Sequence, residues 1–77
     1  MKGELYMAKY DVVQKVDGNL VIVSTWVDNK NGAYKAFHDR CALLWADAGT
    51  TKAVVTILDD NLEVLDGKKE FINKAST

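Results

Sequence analysis

The sequence predicts an α+β fold, a four-stranded antiparallel sheet of two hairpins packed by a single central helix, in the order β-β-α-β-β. Three observations predict it. Two runs rich in β-branched and aromatic residues flank Asp17-Gly18, and an Asp-Gly pair between such runs is a strong hairpin signal. Residues 31–48 carry apolar side chains at helical spacing. A second valine-rich run then returns around Asp59-Asp60-Asn61.

The first strand is read over 6–16, Tyr-Met-Ala-Lys-Tyr-Asp-Val-Val-Gln-Lys-Val, and the second over 20–27, Leu-Val-Ile-Val-Ser-Thr-Trp-Val. Gly18 supplies the positive φ that a two-residue turn requires. Asp28 to Gly32 breaks the strand, and either asparagine within it suits a helix N-cap. On a helical wheel centred on Phe37, Ala33, Tyr34, Cys41, Leu44 and Ala48 fall within about 60°. Lys35, Asp39 and Ala46 lie opposite, and Gly49 is the expected stop. The third strand is read over 51–58 and the fourth over 62–65, with Asp66-Gly67 turning the chain again. The domain organisation expected is an extension over 1–7, one β-β-α-β-β domain over 8–67 and a C-terminal tail over 68–77. Residues 11–23 laid on 53–65 match at five of 13 positions, Val12/Val54, Val13/Val55, Asp17/Asp59, Asn19/Asn61 and Leu20/Leu62. Valine-rich hairpins with Asp and Asn turns share such matches without duplication.

Composition narrows the function. The chain has 77 residues, 48% hydrophobic and 27% charged, with 10 Lys and Arg against 11 Asp and Glu. That is too apolar for a disordered arm and long enough for one small core, burying about 60% of the unfolded surface. One cysteine, Cys41, forbids an internal disulfide, and one histidine, His38, leaves a Cys/His zinc site short of ligands. No cofactor is expected. Met1–Met7 holds no apolar run of signal-peptide length, and no stretch is long enough for a membrane span. A lone thiol suits a reducing interior, so the expected location is cytoplasmic.

Both faces of the predicted sheet are apolar. With a two-residue turn at Asp17-Gly18, Tyr10, Val12, Val21, Val23 and Val27 share one face. Val13, Leu20, Ile22 and Trp26 share the other, with Lys9, Asp11 and Lys15. In the second hairpin Val55, Ile57, Leu62 and Val64 oppose Val54, Leu58 and Leu65. One helix covers only one face, and alternation does not say which. The uncovered face is expected to be an interaction surface, covered most simply by a symmetric homodimer or else by a host protein. Val13, Ile22 and Trp26 are the expected contact residues, with Trp26 as anchor.

Catalytic motifs are weak, and a non-catalytic protein is expected. His38 and Cys41 are three apart on the helix and so are neighbours. Cys41 nevertheless sits in the apolar stripe, where cysteine packs as a small hydrophobe. Counting Asp59 as the first position of a calcium loop puts Val64 where glycine is needed. The alternative function is a small nucleic-acid-binding module. It would use the sheet aromatics Trp26 and Tyr10 with the lysine-rich tail Lys68, Lys69 and Lys74, against a net charge of −1.

The helix segment Ala36-Phe37-His38-Asp39-Arg40-Cys41-Ala42-Leu43-Leu44-Trp45, followed by a valine-rich hairpin, resembles short proteins encoded in bacterial phages and integrative mobile elements. In those, an Ala-Phe-His-x-x-Cys-like helix sits between two hairpins. The resemblance spans about residues 8 to 72. It implies an accessory protein that binds a host or defence protein, and it carries over no functional residue.

Overall fold

The computed structural model describes residues 7–74. Four strands and one helix follow in chain order: β1 (Lys9–Val16), β2 (Asn19–Val27), α1 (Lys30–Ala46), β3 (Lys52–Leu58) and β4 (Val64–Asn73). All strand pairs are antiparallel, in the sheet order β2-β1-β3-β4. The α+β class and the β-β-α-β-β order are those the sequence predicts.

The first hairpin closes as its turn chemistry requires. Val16 pairs with Asn19, and both turn residues take positive φ, 47° at Asp17 and 92° at Gly18. This is the twist that a two-residue hairpin loop favours. Asp17 also reaches the neighbouring strand. Its Oδ1 accepts from the Lys52 amide at 3.0 Å, and its own amide donates to the Lys52 carbonyl at 2.8 Å. One turn residue thus sets where β3 begins.

Helix α1 starts on Asn29, whose side chain accepts from the Gly32 amide at 2.8 Å. Its buried residues are Ala33, Phe37, Cys41 and Leu44, spaced by four, four and three, so they form one stripe. They meet Val12 of β1, Ala53, Val55 and Ile57 of β3 and Ile72 of β4 to make the core. The helix does not stop on Gly49, as expected. It ends three residues earlier, where Asp47 takes an extended backbone. The Lys74 ammonium then donates to three carbonyls there, Leu44 at 2.9 Å, Trp45 at 3.3 Å and Asp47 at 2.6 Å. A cation on these end carbonyls is favourable because they carry the negative pole of the helix and keep accepting capacity beyond the Asp47 and Thr50 amides that reach Leu44 and Asp47. Lys74→Met keeps the stem and deletes the charge. It is expected to lower stability by about 1 kcal/mol, read as a lower denaturation midpoint with the helical signal retained.

Two bulges depart from the regular pairing that the sequence suggests. In β2 the register slips between Val12 and Val13: Val12 faces Ser24 while Val13 faces Ile22, so Val23 is an extra residue. In β4, Thr56 pairs with Lys69 but Leu58 pairs with Val64. Leu65 to Lys68 therefore stand opposite Ile57 alone. Asp66 and Gly67, read from the sequence as a turn after the last strand, lie inside β4 with φ of 51° and 70°. The segment 68–73, expected as tail, is most of the fourth strand and pairs along β3. The extension expected over 1–7 lies, apart from Met7, outside the described residues.

Candidate interaction surface

Register decides which side chains the helix covers. Tyr10, Val12, Gln14 and Val16 of β1 share the helix side with Ala53, Val55 and Ile57 of β3 and with Ile72 and Glu70 of β4. The opposite side has no element over it among the described residues. Running from β2 to β4 it carries three rows. These are Leu20, Lys15, Val54 and Phe71; Ile22, Val13, Thr56 and Lys69; and Thr25, Asp11, Leu58 and Val64. Leu20, Ile22 and Phe71 are 69%, 63% and 70% exposed. Val13 and Val54, between them, are half-buried by these neighbours.

Two of the three expected contact residues, Val13 and Ile22, stand side by side on this open face as a cross-strand pair. Trp26 does not join them. The extra residue Val23 shifts the alternation by one, and Trp26 pairs with Tyr10 on the helix side. There it packs against the core, close over Gly32, and its Nε1 donates to Ser24 Oγ at 2.8 Å. The second hairpin is corrected likewise. Leu65 packs on the core while Val64 is exposed, the reverse of expectation, because the connection from Leu58 to Val64 is longer than the turn expected. Leu62 leaves the sheet altogether, 76% exposed with φ of 61°. The sequence reading missed Phe71, placed in the tail. Its spacing of two from Lys69 and one from Ile72 is an ordinary strand signal, obscured by the preceding Asp-Gly.

The charges of the open face are one-sided. Lys9, Lys15, Lys52 and Lys69 stand there with one carboxylate, Asp11, leaving +3. The other described residues hold five Lys and Arg and nine Asp and Glu, leaving −4. Asp11 is engaged, its Oδ1 accepting from Thr25 Oγ1 at 2.7 Å. Lys15 and Lys52 have no ion-pair partner among the described residues. Lys69 lies 5.3 Å from the centre of the Phe71 ring. Lys15, Asp17, Lys52, Val54 and Phe71 line a depression of about 350 Å³ at the end of the sheet near the β1–β2 turn.

The remaining candidates disperse. Lys68 sits 4.9 Å over the Tyr34 ring on the helix side, and Lys74 caps the helix. The three lysines of the expected nucleic-acid tail thus go to three places. Tyr34 donates its hydroxyl to Asp66, which also pairs with Lys30 at 3.6 Å. This hydrogen bond holds the Tyr34 hydroxyl above and the Asp66 carboxyl below their ordinary ranges. Asp59 Oδ1 accepts from the Asn61 and Glu63 amides at 2.8 and 3.0 Å, an ordinary turn device for aspartate. Among the described residues no group of three or more metal-ligating side chains converges.

Cys41 is buried and free, and burial pushes its thiol up to about 11. His38 is exposed and turns its ring edge-on to Phe37 at 5.1 Å. A thiol so placed is a poor nucleophile. Labelling of native protein by a thiol reagent near pH 8 is expected to be slow and to accelerate with denaturant in step with unfolding. Fast labelling of the folded chain would show that Cys41 is accessible.

No helix among the described residues is long and apolar enough to cross a membrane. No family model, curated protein or solved structure matches the chain.

Proposed function

We propose that the chain is a small non-catalytic interaction protein and that the open sheet face is its binding surface. One observation carries the reading: Leu20, Ile22 and Phe71, each more than 60% exposed, lie on the single face that the helix leaves uncovered, joined by Val13 and Val54. Fully burying such a side chain contributes roughly 1.5–3 kcal/mol, and contiguous exposed apolar surface of this kind marks interaction sites. On the same reading the chain is an accessory protein of a mobile element, in keeping with its helix motif, and its partner is a host or defence protein in a reducing compartment.

The test places a photo-crosslinking residue at Ile22 or Phe71 on the open face, and at Ala42 on the exposed side of the helix. Discrete adducts are expected from Ile22 and Phe71 and none from Ala42. Equal, diffuse crosslinking from both sides would refute the assignment.

A further inference from the structure

We infer that the open face takes an acidic amphipathic segment of another protein, an apolar stripe flanked by carboxylates. The inference rests on the binding role proposed for this face and adds the chemistry of the partner. Three observations support it.

The first is charge. The face carries +3 around its apolar centre and the rest of the described chain −4. Two copies stacked face to face would set +3 against +3, and like charges across an interface are disfavoured. The simplest covering, a symmetric dimer, is therefore the one that these lysines oppose. The second is shape. The depression of about 350 Å³ is lined by Val54, Phe71, Lys15 and Lys52 together with Asp17, whose carboxylate accepts from the Thr51 and Lys52 amides. This is the small end of the roughly 300–1,000 Å³ range of ligand pockets. It accepts an apolar side chain with a carboxylate next to it. The third is composition. Phe71 is the one aromatic among the described residues of this face, and its other large apolar groups, among them Leu20, Ile22, Val54 and Leu58, are aliphatic. Stacked bases call for several aromatic platforms, whereas aliphatic rows suit the stripe of an amphipathic helix.

The experiment uses two synthetic helical peptides with the same Leu/Phe stripe, one flanked by glutamates and the other by lysines. Binding to the full chain is followed by fluorescence anisotropy. The acidic peptide is expected to bind about tenfold or more tightly than the basic one at low salt, with the preference shrinking as salt rises. Lys15→Glu with Lys52→Glu is expected to reverse the preference. Leu20→Ser with Phe71→Ser, checked for an unchanged circular dichroism spectrum, is expected to abolish binding of either peptide.

Equal affinity for both peptides, lost in the Leu20→Ser/Phe71→Ser variant, would overturn the acidic partner and leave the binding face standing. So would a concentration-dependent dimer that the same variant dissolves. Tight binding of a single-stranded oligonucleotide in place of the acidic peptide would transfer the face to nucleic acid. Binding of neither peptide, with a monomer at all concentrations, would overturn both the partner and the face.

Discussion

Phe37→Ala is expected to cost the fold a large share of its stability. Phe37 is 3% exposed and stands in the middle of the buried helix stripe. Truncating a buried phenylalanine costs about 3–5 kcal/mol, part lost transfer energy and part the cavity left behind. A chain of this length holds roughly 4–12 kcal/mol in total at 0.05–0.15 kcal/mol per residue. The loss thus takes from about a quarter of that total up to all of it. With a urea dependence of about 1 kcal/mol per M for so small a domain, the midpoint should fall by roughly 3 M or more. Phe71→Ala is the matched control. It removes the same atoms from a ring 70% exposed on the open face, and its cost should stay within about 0.5 kcal/mol. Equal losses at the two positions would mean that the covered and open faces have been exchanged.

The second large effect has an unusual sign. Glycine inside a helix is ordinarily about 1 kcal/mol worse than alanine, so Gly32→Ala ought to stabilise. Here the added Cβ would lie 2.5 Å from Trp26 Cε3, 2.7 Å from Cζ3 and 2.7 Å from Asn29 Nδ2. Neither neighbour gives way cheaply. The Trp26 ring is held by its bond to Ser24, and Asn29 is the N-cap. Overpacking of this kind costs about 1–3 kcal/mol. Gly32→Ala is therefore expected to lower the melting temperature and to shift tryptophan emission to the red as the ring moves outward. A stabilised variant with unchanged emission would show that Trp26 does not lie over Gly32.

Much of the fold was legible in the residues because local and tertiary preferences agree. Asp17-Gly18 marks a hairpin that forms with the expected register at its turn. The stripe of Ala33, Phe37, Cys41 and Leu44 reads as a helix face and is one. Failures cluster where an extra residue enters a strand. Alternation carries side-chain direction only while the pairing is regular, and Val23 breaks it without any glycine or proline to announce the break. Trp26 was misplaced for that reason alone. Its one trace in the sequence is Gly32, a small residue early in the helix where a large ring needs space. Asp66-Gly67 misled in the other direction: turn residues can sit in a bulge as well as at a strand's end, and the strand was cut at Leu65. The open face was half legible. Val13 and Ile22 follow from parity, but the pairing of β1 with β3 that brings Val54 and Phe71 beside them is a long-range choice that no local pattern states.

The two bulges have a further consequence when their positions are compared. Both fall on the outer strands, Val23 in β2 and Leu65–Lys68 in β4, while the paired stretches of the inner strands β1 and β3 run without an inserted residue. An outer strand offers a row of unpaired amides and carbonyls on which another chain can be added. A kink in that row spoils the template, because an incoming strand cannot keep its ladder past the extra residue. Valine-rich segments such as Leu20–Val23 and Val54–Leu58 would otherwise be apt nuclei for fibre growth. By bending its margins, this small sheet presents a sticky plane without a sticky rim, and concentrated solutions should form few ordered fibres.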